Sequence, residues 1–172
     1  ETGEPYMINI DTCNEALPKS QKDLGLKIRQ SNLCSEITLP TNEERTAVCC
    51  LSSVNLEHFD TWSKDPEFIN DLITMLDNVL QHYIDNAVDT KQLGEYSANF
   101  KRFTNYIKEG KEGYAKSAYS AYRERSLGLG AMGFHAYLQS KNIPFEGIFA
   151  VGFNHKAFNH IKKEATKATK LL

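Results

Sequence analysis

The sequence predicts a mixed α/β fold, because three stretches of the chain differ in pattern. Residues 1–56 combine short β-type runs with turn-rich segments, residues 63–88 carry a helical apolar pattern, and residues 95–172 are mostly helical in pattern. A chain of 172 residues is long enough to bury a core, so we expect one domain. The hydrophobic content of 41% and the charged content of 24% are ordinary for a globular protein.

The first stretch contains three candidate strands, which are YMINI (6–10), EITL (36–39) and TAVCCLSSVNL (46–56). Each run is rich in β-branched or other apolar residues, and turn-forming residues separate the runs. We therefore expect strands there, with DTCNEALPKSQKDLG and PTNEER as turns.

The second stretch predicts an amphipathic helix over residues 63–88. Asp65 and Pro66 suit its N-cap and first turn. Apolar residues then recur at three- and four-residue spacing: Phe68, Ile69, Leu72, Ile73, Leu76, Val79, Leu80, Tyr83 and Ile84. In the third stretch, the lysine-rich segment 106–116 is expected to be a loop or an exposed helix end.

Charge and hydropathy argue against two classes of partner. The net charge is −2, so no basic surface for nucleic acid or anionic membrane is expected. No apolar run approaches the roughly 18 residues of a membrane span, and no signal-peptide pattern opens the sequence. We expect a cytoplasmic protein. The first residue is Glu, and a helical pattern runs to Leu172 without a stop signal, which predicts a segment of a longer polypeptide.

The four cysteines are Cys13, Cys34, Cys49 and Cys50. No C-x2-C pair is present, so their spacing fits no zinc site, and nothing indicates a secreted disulfide scaffold. Free thiols with a chemical role are the better interpretation.

Other candidate motifs favour structural roles. GLGAMG (128–133) matches G-x-G-x-x-G, but helical sequence precedes it, and the nearest later acid, Glu146, is too close to the motif for the acid that a dinucleotide site requires. We expect a helix or helix break in which the glycines allow close packing. The histidines lack H-x-x-x-H spacing. A set of tyrosines is expected to form a core stripe rather than a radical relay: Tyr114, Tyr119, Tyr122 and Tyr137.

Asn32, Cys34 and Glu36 stand at alternate positions in SNLCSEI (31–37). Alternate residues of an extended segment point to one face, so an amide, a thiol and a carboxylate are expected to converge on one cavity. From spacing alone, a loop with a structural cysteine remains an alternative.

SNLCSEI, together with AVCCLSSVNL (47–56), resembles the large, catalytic subunit of ribonucleotide reductase. ETGEPYMINIDTCN (1–14) and RERSLGLGAMGFHAYL (123–138) are similar to segments that flank that core, in the same order. The details look most like the aerobic, class I enzymes. The resemblance implies a ten-stranded α/β barrel of two antiparallel halves, with a finger loop at about 28–37 inside it. Residues 1–172 would be the central segment of this barrel domain, which is incomplete in this chain.

The resemblance also implies roles for the loop residues. Cys34 would form a thiyl radical that removes the 3′-hydrogen of a ribonucleotide, and Glu36 would accept the 3′-hydroxyl proton. Asn32 would bind the substrate and orient Glu36, and Leu33 and Ser35 would complete the substrate-binding run. Such a radical needs burial, which a barrel interior supplies.

The resemblance implies that Cys49, six residues before Asn55, supplies one reducing thiol. Its partner would come from a strand that precedes this segment. Cys50 departs from the family pattern. The neighbouring thiols are expected to face opposite sides of a strand, so that only Cys49 reaches the cavity. Cys13 is expected to pack structurally.

The implied function is the reduction of ribonucleoside diphosphates to deoxyribonucleotides. No cofactor would bind this chain: a small, metal-containing radical-generating subunit would supply the radical, and an external dithiol of the thioredoxin or glutaredoxin type would supply electrons. The remaining parts of the large subunit would be partners. Three alternatives stay open: an adenosylcobalamin-dependent reductase, an inactive fragment that completes a barrel with another polypeptide, and a redox protein using Cys49 and Cys50. Strain in a vicinal disulfide disfavours the last.

Overall fold

The computed structural model describes residues 3–94 and 97–172, so Glu1 and Thr2 of the first quoted segment lie outside the described residues. The elements are α1 (Ile10–Glu15), α2 (Lys19–Asp23), β1 (Cys50–Asn55), α3 (Phe59–Trp62), α4 (Phe68–Ala87), α5 (Phe100–Phe103), α6 (Ala115–Glu124), β2 (Leu127–Met132), α7 (Phe134–Ser140) and α8 (Ile148–Thr169). Short 3-10 turns cover Leu56–His58, Thr104–Tyr106 and Glu112–Tyr114. Helices and strands therefore occur together, as the predicted α/β class requires.

The chain forms two compact units, of which the first comprises Glu1–Val48 and Tyr83–Arg125. Its core is built around Tyr119, whose ring lies edge-on to Phe103 at 5.1 Å and to Phe100 at 5.2 Å between centroids. The Tyr119 hydroxyl donates to the Ala98 carbonyl at 2.7 Å. The polar end of this buried ring is thus satisfied, as packing in a core demands.

The second unit comprises Cys49–His82 and Ser126–Leu172. Its core centres on Phe59, which contacts Trp62 and Phe153 edge-on at 5.0 and 5.5 Å between centroids. Tyr137 stacks on Phe153 at 3.7 Å. The predicted core role is confirmed for Tyr119 and Tyr137, and Tyr122 packs half-buried against the core of the first unit. The prediction is wrong for Tyr114, which is 52% exposed.

The helix predicted over residues 63–88 is α4, Phe68–Ala87. The predicted N-cap is wrong, because the helix begins at Phe68, directly after Glu67, whose carbonyl accepts from the N–H of Asp71 at 2.8 Å. The Asp65 carboxylate instead accepts from the backbone N–H of Glu67 at 3.0 Å, in the turn before the helix. The buried residues keep the expected spacing: Ile69, Ile73, Leu76, Leu80 and Ile84. Val79 departs from the prediction, because its side chain is 51% exposed. The lysine-rich segment 106–116 is a loop with short 3-10 turns up to residue 114, and its last two residues begin α6, which agrees with the expected loop or helix end.

Strands β1 and β2 pair in parallel, with Cys50 opposite Leu127 and Asn55 opposite Met132. One face packs on the core of the second unit through Val54 of β1 and through the alternate β2 residues Leu127, Leu129 and Ala131. The opposite face is open, and Leu51 on it is 55% exposed. Side chains alternate along a strand, so the positions of Val54 and Leu51 determine, for each residue of β1, whether it lies on the core-facing side or on the open side.

Two of the predicted strands are wrong for this structure. Residues 6–9 of YMINI form no strand, and Ile10 instead begins α1. EITL (36–39) is also without regular structure. A strand exists only where a neighbour completes its hydrogen bonds, and within residues 3–94 and 97–172 none pairs with either run. TAVCCLSSVNL contains β1, which is shorter than predicted.

GLGAMG lies in β2 and in the cap of α7, so the predicted helix or helix break is wrong. It does follow a helix, α6, rather than a strand, as expected. Close packing of its glycines is confirmed. A Cβ on Gly128 would lie 2.4 Å from Cδ2 of Leu51, and one on Gly133, whose φ is +75°, would lie 2.2 Å from Oδ1 of Asn55.

None of the helices in the described part of the chain is both long enough and apolar enough to cross a membrane.

Candidate active site

The predicted finger-loop residues lie in a tight turn rather than in an extended strand. The N–H of Ser35 donates to the carbonyl of Asn32 at 3.1 Å, which closes the turn. Ser35 has a φ of +67°, in the left-handed region. Cys34 is therefore presented at the turn, where it is exposed, and the neighbouring Leu33 is 88% exposed.

The two flanking polar side chains meet across this turn. Nδ2 of Asn32 donates to Oε1 of Glu36 at 2.7 Å. Oδ1 of Asn32 accepts from the N–H of Ile37 at 3.0 Å, and the hydroxyl of Ser31 lies 2.7 Å from the Ile37 carbonyl. The predicted convergence is confirmed for Asn32 and Glu36. Its stated cause is wrong, because a turn rather than an extended strand brings them together.

A cleft of about 540 Å³ adjoins the thiol. Its lining consists of residues 3–7 and two loop residues: Gly3, Glu4, Pro5, Tyr6, Met7, Cys34 and Ser35. Asn32 and Glu36 are not part of this lining as far as the described residues define it. Convergence of all three side chains on one cavity therefore stays a prediction.

The loop is not sheltered by the described part of the chain. Asn32, Leu33, Cys34, Ser35 and Glu36 are all exposed, contrary to the burial that radical chemistry requires. Shelter for a thiyl radical would have to come from additional polypeptide around the loop.

The adjacent thiols Cys49 and Cys50 face opposite sides, as predicted. Cys50 pairs with Leu127 and shares the core-facing side of β1 with Val54. The Cys49 sulfur lies on the open side, because a Cβ built on Gly128 would stand 3.4 Å from it. Burial raises the pKa of the Cys49 thiol above its ordinary value, and the neighbouring Cys50 raises it further. Burial also raises the pKa of Cys50, so both thiols are protonated at neutral pH.

A buried ion pair, which the sequence pattern did not reveal, holds the segment between the loop and β1. Arg45 is 8% exposed, and its guanidinium pairs with the Glu124 carboxylate at the end of α6. Nε2 of Gln21 donates to the same carboxylate at 2.8 Å, and the guanidinium lies 5.2 Å from the centre of the Tyr119 ring. No spacing rule connects Arg45 with Glu124, which lie far apart in the chain. The segment PTNEER, which contains Arg45, has the composition of an ordinary turn, so nothing in it indicated a buried charge.

Metal binding finds no support within residues 3–94 and 97–172. These residues contain no group of three or more His, Cys, Asp or Glu side chains arranged to hold an ion. Cys13, on α1, is half-buried and free, and its structural role stays a prediction.

Comparison with known proteins identifies the family. The sequence matches the family described as "Ribonucleotide reductase, barrel domain" over residues 1–172. The chain belongs to the ribonucleotide reductase barrel-domain family. The resemblance inferred from SNLCSEI and AVCCLSSVNL is thereby confirmed, and so is the barrel fold class.

Relatives of this barrel domain occur in viruses and bacteria. The chain is 48% identical over 161 residues to the ribonucleoside-diphosphate reductase large subunit of Invertebrate iridescent virus 3, covering 94% of this chain and 22% of that protein. It is 32% identical over 173 residues to the ribonucleoside-diphosphate reductase subunit alpha of Chlamydia pneumoniae, covering 100% of this chain and 14% of that protein.

A solved structure supports the same fold. The Actinobacillus ureae class Id ribonucleotide reductase alpha subunit matches with a TM-score of 0.78 and 32% identity, covering 97% of this chain and 28% of that one. The chain thus spans between 14% and 28% of the length of these relatives.

Proposed function

We propose that this chain forms the central segment of a ribonucleoside-diphosphate reductase large subunit and carries the chemistry of its finger loop, at about residues 28–37. The observation that carries the proposal is the turn at Asn32–Ser35. It presents the Cys34 thiol between an amide and a carboxylate that are hydrogen-bonded at 2.7 Å, in a chain of the reductase barrel family.

The loop residues supply the first half of the reaction. A thiyl radical on Cys34 takes the hydrogen atom from C3′ of the ribose and becomes a thiol, and Glu36 accepts the proton of the 3′-hydroxyl. Nδ2 of Asn32 donates to Oε1 of Glu36 and restricts the carboxylate to one orientation, which favours proton transfer to it. The exposed face of the same loop, including Leu33 and Ser35, contacts the substrate.

The second half of the reaction consumes two electrons. The 2′-hydroxyl leaves as water, a hydrogen replaces it on the ribose, and two thiols become one disulfide. The Cys34 thiol then returns its hydrogen atom to C3′ and becomes a radical again, and Glu36 returns the proton to the 3′-oxygen, so that atoms and electrons balance. Cys49 is one of these thiols. In an α/β barrel the helices cover the outer face of the sheet, so the open face of β1 is the interior one. Cys49 lies on that face, and its raised pKa keeps the thiol protonated and able to donate.

The partners follow from what the reaction needs beyond these residues. A small, metal-containing subunit generates the radical, an external dithiol of the thioredoxin or glutaredoxin type reduces the disulfide, and the remaining parts of the large subunit enclose the exposed loop. Ribonucleoside diphosphate is the substrate, in keeping with the names of the viral and chlamydial relatives. A cytoplasmic location belongs to the same proposal, because a reducing compartment keeps the four cysteines as free thiols.

The test uses the full-length large subunit that contains this segment, assembled with its radical-generating subunit and a dithiol. Cys34→Ser should abolish formation of deoxyribonucleoside diphosphate, because serine forms no comparable radical. Cys13→Ser, a matched thiol on α1, should leave turnover near the unmodified level.

Equal activity of Cys34→Ser and the unmodified enzyme would refute the proposal. Turnover that needs adenosylcobalamin instead of the second subunit would assign the chain to that branch of the family. Failure of the complete, loaded assembly to turn over would favour the inactive structural role.

A further inference from the structure

The root of the finger loop is bound by a side chain from another element. Asn14 lies in α1, and its carboxamide makes three hydrogen bonds of 2.9 Å each. Nδ2 donates to the carbonyls of Ile10 and Ile28, and Oδ1 accepts from the N–H of Ile28. Both amide hydrogens and the carbonyl oxygen of this side chain are therefore used.

The two bonds to Ile28 reproduce the pairing that a neighbouring strand would provide. Ile28 is 3% exposed, so its backbone polar groups need partners within the protein. Among the described residues no strand offers them, and the Asn14 amide takes that place. The adjacent residue Lys27 accepts from the N–H of Thr41 at 3.3 Å, which joins the two ends of the loop segment.

The far end of the loop is closed by its own hydrogen bonds. The N–H of Ile37 donates to Oδ1 of Asn32 at 3.0 Å, and the Ser31 hydroxyl donates to the Ile37 carbonyl at 2.7 Å. Residues 31–37 are therefore tied to one another by side-chain hydrogen bonds. Residues 28–30 and 38–40 connect this loop to the rest of the chain, and the Asn14 side chain fixes the first of these connections at Ile28.

We propose that Asn14 is a positioning residue for the Cys34 loop, acting through the backbone of Ile28 without touching substrate. This inference rests on the proposed function, for which a misplacement of about 1 Å can cost on the order of a hundredfold in rate. The side chain of Asn14 holds the loop root on α1, and the internally bonded loop transmits that placement to the thiol.

Asn9 provides a matched control on the same helix. Its side chain caps α1 by accepting from the N–H of Thr12 at 3.3 Å, and within residues 3–94 and 97–172 no side-chain hydrogen bond joins it to the loop. Asn9→Ala therefore weakens α1 by removing an amide, and Asn14→Ala weakens α1 and also releases Ile28. Cys13, half-buried on the same helix, reports any loss of helix structure.

The experiment compares both variants in the full-length large subunit. Iodoacetamide alkylation of each cysteine is timed by mass spectrometry of peptides, and kcat and KM are measured with the radical-generating subunit. Asn14→Ala should raise the alkylation rate of Cys34 relative to Cys13 by about threefold or more and lower kcat by about tenfold to a hundredfold. Asn9→Ala should change neither quantity by more than about twofold.

Equal effects of the two variants on Cys34, or no effect of either, would overturn the proposal. If Asn14→Ala does not fold, Asn14→Asp keeps the shape and the acceptor for the Ile28 N–H but loses both donations. Asn14→Asp should then raise the alkylation rate of Cys34 and lower kcat as Asn14→Ala does. If both quantities stay at the level of the unmodified enzyme, the proposal is equally overturned. The alkylation measurement needs no turnover. An assembly without activity would therefore count against the proposed function, and the alkylation rate of Cys34 would still test whether Asn14 positions the loop.

Discussion

Replacing Glu36 by glutamine separates the proton-accepting role of this side chain from its structural role. In the structure, Oε1 of Glu36 accepts from Nδ2 of Asn32 at 2.7 Å. The glutamine amide also carries an Oε1 acceptor, so this contact and the turn around Cys34 survive the change. What disappears is the ability to accept the 3′-hydroxyl proton.

The two losses differ enough in size to be told apart. Exchanging a charge-assisted hydrogen bond for a neutral one at an exposed site costs about 1 kcal/mol or less. Removing a general base costs about 10²–10⁴ in rate, equivalent to about 2.7–5.4 kcal/mol of transition-state stabilisation. We therefore expect kcat of Glu36→Gln to fall by a factor in that range while the folded structure is retained.

The assay is deoxyribonucleoside diphosphate formed per enzyme in the assembled, full-length reductase. Glu43→Gln is the control, because Glu43 is an exposed glutamate on the same segment and its replacement makes the same change of charge. The rate of Cys34 alkylation checks that the loop is intact. If Glu36→Gln retains kcat within about tenfold of the unmodified enzyme, Glu36 is not the base.

The adjacent thiols yield two further predictions. Cys49→Ser should abolish multiple turnover, because Cys49 lies on the open face of β1. Cys50→Ser should cost only packing on the core face. The measurement is product formed per enzyme, and the opposite result would reverse the face assignment. Cys49 should be alkylated more slowly than an ordinary thiol near neutral pH and faster as pH rises through its raised pKa, because only the thiolate reacts. In Cys50→Ser the midpoint of this pH profile should move down, since the charge of Cys50 no longer opposes ionisation of Cys49; an unchanged or higher midpoint would contradict the electrostatic argument.

The sequence was most informative where structure follows from local pattern. The apolar spacing from Ile69 to Ile84 predicted α4, because an amphipathic face of three turns or more has one favourable way to bury itself. The opposite orientation of Cys49 and Cys50 likewise followed from the two-residue period of a strand. The motif around Cys34 identified the correct family, since this short run of residues is specific to the family without any knowledge of its geometry.

Strand assignments failed where the pattern was right but no partner completed it. YMINI and EITL have β-type composition, and neither forms a ladder in the described residues. The prediction for GLGAMG was wrong in the opposite way, because a strand formed where none was predicted. Its glycines suggested a break, yet Gly128 and Gly130 lie in β2, where the neighbouring strand carrying Leu51 and Ser53 leaves little room for a larger side chain.

By itself, the sequence determined the family and the long helix, because each depends on residue types at short separation; the roles of the residues around Cys34 stay predictions. Only the tertiary structure decided that Asn32 and Glu36 meet across a turn, that Asn14 holds Ile28, and that Arg45 is neutralised by Glu124. These contacts join residues whose separation in the chain obeys no helical or strand period. They form because burial leaves each backbone group or charge in need of one partner, and the folded chain determines which partner lies within reach.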